Sequence, residues 1–316
     1  MNFRECFHSR QDILLEGALG ERLKREYGLS FDEHVAMAKL IYQPEGAAAL
    51  TELWSGYIDI ARRYDMPFMA TTPTRRANRE RLAAANATGR VIADNVAFLK
   101  EIQRSCGIEM YVGGLMGCRG DAYTGEGALT EEEALEFHRW TAEQFRAAGA
   151  DFLYAGIMPT LPEAAGLARA IDDTGMDYII SFTIQRDGTL IDDTPIADAV
   201  SYIDSVTVNK PLCYMTNCVH PSIAAKALGQ DFNCTDRIRE RFCGIQANTS
   251  PLSYEELDGA EELHCSEPEE FSEEMMRFGL SSNIRIWGGC CGTDHRHMEC
   301  IAQKIKLRSR NKAYYD

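Results

Sequence analysis

Long hydrophobic runs are missing from this chain. No stretch approaches the roughly 20 consecutive apolar residues of a membrane helix, and Met1-Asn2-Phe3-Arg4-Glu5-Cys6-Phe7-His8-Ser9-Arg10 has no apolar core of signal-peptide length. The expected location is therefore the cytoplasm. Positive charge is also short: 33 Lys and Arg face 48 Asp and Glu, a formal net charge of −15. A nucleic-acid surface needs clustered cations, so that class of function is excluded. A dinucleotide-type phosphate loop is absent, because Gly113-Gly114-Leu115-Met116-Gly117 lacks the G-x-G-x-x-G spacing. No linker or composition break appears, which makes residues 1–316 one expected domain.

Cysteine is not scarce. Eleven occur without the compact spacing of a small disulfide-rich domain, so reduced thiols or metal ligands are expected. Cys106, Cys213, Cys243 and Cys300 read as small core residues. Hydrophobic residues make up 45%, enough for a large core.

Short apolar runs alternate with segments of helical period. The runs are 12–18, 67–72, 110–114, 152–156, 178–183, 212–217, 242–247 and 284–288. Helices are expected over 79–105, 130–148, 161–174, 195–204, 221–228, 268–278 and 295–307, with Thr130 and Glu133 in capping-box spacing. Eight strands, nearly all followed by helices, point to parallel βαβ units, and eight suit a closed α/β (β/α)8 TIM barrel better than an open sheet. The long acidic segment 248–267 reads as a flexible loop over the active-site face.

In such barrels the chemistry sits at the C-terminal ends of the strands. Cys218 follows the sixth expected strand; Cys290 and Cys291 follow the eighth, between glycines in Gly288-Gly289-Cys290-Cys291-Gly292. Three thiolates are one short of a closed tetrahedral zinc site, and catalytic zinc keeps that fourth position open. A vicinal pair can instead be a redox couple, and His220, His295 and His297 are rival ligands. For His295 and His297 a solvated capping role at the start of the last helix is the expectation.

The arrangement resembles the zinc- and homocysteine-dependent S-methyltransferase family. The resemblance runs through Leu15-Glu16-Gly17-Ala18-Leu19-Gly20-Glu21, Gly113–Gly117, Gly149-Ala150-Asp151-Phe152-Leu153, Ser181-Phe182-Thr183 and the late Gly-Gly-Cys-Cys. It implies a (β/α)8 enzyme holding Zn2+ on Cys218, Cys290 and Cys291 and moving a methyl group onto a thiol, usually homocysteine, giving methionine. Three positions depart from the pattern. Glu16 replaces an Asp, Gly156-Ile157 stands where the family carries Glu-Thr, and Thr71-Thr72-Pro73-Thr74-Arg75-Arg76 adds two cations to the rim.

Within that picture, Glu16 is a candidate partner for the acceptor's ammonium. The N–H groups of Gly17, Ala18 and Leu19 are candidates for its carboxylate. Asn217 is a candidate to orient Cys218, and the alternative for it is a turn former. The chain has no room for a cobalamin or folate module, so the methyl donor binds in the barrel mouth or arrives on a separate corrinoid or other carrier protein. A non-catalytic zinc-binding or thiol-redox protein is the reading from another class.

Overall fold

The computed structural model describes residues 1–252 and 266–312. Eight parallel strands close into a barrel in sequence order, β1 pairing with both β2 and β8. They are β1 Ile13–Leu15, β2 Phe68–Thr71, β3 Met110–Met116, β4 Phe152–Met158, β5 Tyr178–Phe182, β6 Cys213–Asn217, β7 Phe242–Ala247 and β8 Ile286–Gly289. Each lies within a few residues of its expected position. The strands are apolar along nearly their whole length because both faces are covered, one by the barrel interior and one by the helices.

The helices are α1 Phe3–Ser9, α2 Gly20–Arg25, α3 Pro44–Arg63, α4 Arg79–Ala84, α5 Arg90–Cys106, α6 Glu131–Ala148, α7 Leu161–Asp172, α8 Ile196–Val206, α9 Pro221–Leu228, α10 Asp236–Arg241, α11 Pro268–Ser281 and α12 His295–Lys312. The expected single helix over 79–105 is in fact two. Asn86 turns left-handed at a φ of 50°, and the chain restarts after Thr88-Gly89. The capping box at Thr130 is formed, its side chain accepting from Glu133 N–H while the Glu133 carboxylate accepts in return. Of the acidic segment 248–267, residues 253–265 lie outside the described part.

One element without a sequence expectation closes the barrel floor. Helix α1 buries Phe3, Cys6 and Phe7 against Ile13, Tyr111, Phe152, Cys213, Cys243 and Ile286. The Phe3 ring stacks on Phe152 with centroids 4.1 Å apart. This apolar plug sits at the N-terminal ends of the strands and leaves the opposite rim for chemistry.

Candidate functional site

The last residues of β6 and β8 bring the cysteines together. Cys218 leaves β6 with a φ of 53°, a region that disfavours residues bearing a Cβ, and its N–H donates to the Gln246 carbonyl at 2.9 Å. Cys290 N–H donates to the Ala247 carbonyl at 2.7 Å, which ties the end of β8 to β7. The Cys290 carbonyl accepts from Thr293 Oγ1 at 2.7 Å, and that hydroxyl accepts from Ala18 N–H at 3.0 Å. The loops after β1, β6, β7 and β8 are thus stitched into one rim.

Cys218 and Cys290, separated by 72 positions, are joined as a disulfide with Cα atoms 5.4 Å apart. Cys291 Sγ lies 4.0 Å from Cys290 Sγ, and all three sulfurs fall within 4.8 Å of one another. Ligand sulfurs around a tetrahedral zinc sit about 3.8 Å apart, given a Zn–S bond near 2.3 Å. Once reduced, the trio fits one soft metal ion with small side-chain adjustments. Cys218 is buried, Cys290 half-buried and Cys291 exposed, so the cluster has an open side toward the rim.

No histidine joins this cluster among the described residues. His220 caps α9, its Nδ1 accepting from Ser222 N–H at 3.2 Å, and burial pulls its pKa down. The solvated role expected for His295 and His297 is corrected. His297 is 3% exposed, with Nδ1 2.8 Å from Asp294 Oδ1 and Nε2 3.0 Å from the Ser266 carbonyl. His295 packs on Tyr57 with ring centroids 4.7 Å apart. His297 lies on the inward side of the first turn of α12, whereas His295 is half-buried.

A cavity of about 230 Å³ opens beside the sulfurs. All the expected substrate-binding residues line it: Glu16, Gly17, Ala18, Leu19 and Asn217. Their hydrogen bonds divide them. Glu16 is buried; its Oε1 accepts from Thr71 N–H at 3.0 Å and Thr71 Oγ1 at 2.6 Å, and its Oε2 accepts from Trp54 Nε1 at 2.6 Å. Burial pushes its pKa up to about 7 despite the hydrogen bonds from Thr71 and Trp54. Ala18 N–H is taken by Thr293, whereas the N–H groups of Gly17 and Leu19 have no hydrogen bond among the described residues. Gly17 is needed for close approach, since a Cβ there would fall 2.7 Å from Tyr57 Oη.

Asn217 is neither idle nor a simple turn former. Its Nδ2 donates to Tyr154 Oη at 2.8 Å and to Gln246 Oε1 at 2.9 Å, and its Oδ1 accepts from Ile157 N–H at 3.1 Å. That last bond depends on a bulge in β4 between Ala155 and Met158, where Ile157 has a φ of 58°. Gly156 lies in the same bulge and leaves its place to Leu115; an added Cβ would meet Leu115 Cδ1 at 2.8 Å.

Tyr154 and Gln246 are cavity residues that sequence reasoning did not single out. The signal for Gln246 was visible, a polar residue near the C-terminal end of the apolar strand Phe242–Ala247.

A family profile described as homocysteine S-methyltransferase matches residues 13–305. Homocysteine S-methyltransferase YbgG of Bacillus subtilis (strain 168) is 30% identical over 196 residues, 58% of this chain and 56% of that protein. The chain thus spans about half the length of the curated relative it matches. Among solved structures, the homocysteine methyltransferase MmuM of Escherichia coli superposes in its metallated form with a TM-score of 0.75 at 19% identity, covering 95% of this chain and 99% of that one. Its oxidized form gives 0.74 at 20% identity, with 97% and 98% covered. At such identities the likeness concerns the fold.

Proposed function

The chain belongs to the homocysteine S-methyltransferase family, and from that premise we propose that it transfers a methyl group from a small donor to a thiol bound with Zn2+ at Cys218, Cys290 and Cys291. One observation carries the reading: three sulfurs from two distant segments converge within 4.8 Å on the open rim of the barrel. Homocysteine is the family's acceptor and the first thiol to test. Residues 1–316 act in this reading as one catalytic domain, and the donor enters the same cavity.

Zinc bound to three thiolates would keep an incoming thiol deprotonated and, with a formal site charge of −1 before it binds, leave its sulfur electron-rich. Deprotonation itself is a modest gain. A free thiol of pKa near 8.5 is about 3% ionised at pH 7, so recovering the rest is worth roughly 2 kcal/mol. Enzymes commonly remove ~8 kcal/mol or more from a barrier. Positioning must supply the larger part, and it falls to this chain's own residues. The Asn217 amide fixes the β6 end against Tyr154 and Gln246. The Gly17 and Leu19 N–H groups offer an anion contact on the β1 side of the cavity.

The test pairs metal content with turnover. Reduced, chelator-free protein should contain one zinc per chain and methylate homocysteine or a related thiol from S-methylmethionine, S-adenosylmethionine or betaine. Cys290→Ala and Cys291→Ala should lose metal and activity together. Full activity in a zinc-free variant would refute the reading. A non-catalytic redox protein would show reversible thiol oxidation and no methylated product with any donor.

A further inference from the structure

Three charged side chains line the cavity besides the cysteines: Glu16, Glu21 and Arg75. Glu16 is hydrogen-bonded through both oxygens, Glu21 through one, its buried Oε1 having no hydrogen bond among the described residues. Glu16 accepts from Thr71 and Trp54; Glu21 accepts from Gly292 N–H at 2.6 Å and lies 3.0 Å from the Arg25 guanidinium.

Arg75 differs. It has no ion pair and no side-chain hydrogen bond among the described residues, although most arginines of this acidic protein have carboxylate partners. Its neighbours add to the imbalance. Arg81 lies near both Arg75 and Arg76, and burial together with those two cations lowers its pKa.

The placement of Arg75 is built rather than incidental. Its stem lies against Gly117, where an added Cβ would fall 2.6 Å from Arg75 Cγ and 2.9 Å from its carbonyl oxygen. Tyr123, another lining residue, stands in the electrostatic range of both the Arg75 guanidinium and the Cys291 sulfur. Asp121 stands in electrostatic range of the guanidinium, but no carboxylate pairs with it directly among the described residues, which leaves it a ready partner for a planar carboxylate.

We infer that Arg75 is the receptor for an acid group on a substrate of this cavity. The inference rests on the methyl-transfer reading only for the word substrate. It makes the acid end of an amino-acid-like molecule the part that Arg75 recognises. The acid can belong to the thiol acceptor or to the methyl donor.

The experiment uses full-length, reduced, zinc-loaded protein and measures binding by calorimetry, so it needs no turnover. The thiol series is homocysteine, its des-amino analogue and its decarboxy analogue; the donor series pairs a carboxylate-bearing sulfonium with trimethylsulfonium. In wild type, removing the acid should weaken binding roughly 10- to 100-fold in one series, the range of a charge-assisted hydrogen bond.

Arg75→Ala should reduce that discrimination by weakening only the acid-bearing ligands, and Arg75→Lys should recover part of it. The series that responds identifies which substrate carries the acid. Equal weakening of all ligands in Arg75→Ala, or no weakening of any, would overturn the proposal. Failure of the methyl-transfer reading would appear separately, as absence of methylated thiol with every donor.

Discussion

Cys218 is the residue where backbone and chemistry conflict most openly. Its φ of 53° suits glycine, yet only a cysteine there supplies a sulfur to the cluster. Such a conformation costs an ordinary L-residue about 1–2 kcal/mol, and it persists because Gln246 and Asn217 hold the β6 end in place. Cys218→Ala and Cys218→Gly should both lose metal and activity. Compared metal-free and reduced by urea unfolding, the glycine variant should be the more stable of the two by about 1 kcal/mol. Equal stabilities would mean that the strain is relieved elsewhere.

The cysteines themselves were legible because their flanking glycines and strand-end spacing are local signals. The settings of His295 and His297 were not. Tyr57 and the Ser266 carbonyl reach them only through the tertiary fold.

Among the elements, the strands were read well because apolar runs covered on both faces have little freedom to be anything else. Helix ends and breaks were read less well. The interruption between α4 and α5 rests on the left-handed turn at Asn86 inside an otherwise helical pattern, and helix α1 is too short to carry a periodic signal. The β4 bulge was equally hidden, since nothing in Gly156-Ile157 announces a shift of register.

That bulge matters because it delivers the Ile157 N–H to Asn217, so one amide braces β4, β6 and β7. Asn217→Ala should remove the brace and leave the Cys218 ligand loosely aimed. Losses of this kind lower metal affinity about 10- to 100-fold. Competition with a zinc chelator would measure it, and an unchanged affinity would make Asn217 a packing residue only.

At the scale of the whole molecule, Glu16 couples stability to pH. Burial raises its pKa from 4.5 to about 7 in the folded state. Between those values the folded chain keeps a proton that the unfolded chain has released, so folding binds a proton and stability falls as pH rises. The contribution is fully present below 4.5 and is lost as pH passes through about 7. Relative to Glu16→Gln, wild type should lose up to about 3 kcal/mol over that window and then level off. The slope with pH is the quantity to compare, because the Gln amide would also face the donors Trp54 and Thr71 and lower the variant's stability at every pH. A parallel pH profile for the two proteins would mean that Glu16 stays ionised throughout.

The plug formed by α1 has a consequence for traffic. With Phe3 and Phe7 sealing the floor, the barrel is a vessel with one door. In the methyl-transfer proposal thiol and donor share that door, and a thiol docked at the sulfur cluster would lie ahead of a donor still to enter. The door therefore imposes a queue, thiol before donor and spent donor before methylated thiol. A non-reactive donor analogue should be uncompetitive against the thiol, since it can enter only after the thiol has docked. A noncompetitive pattern would mean that the two berths fill in either order.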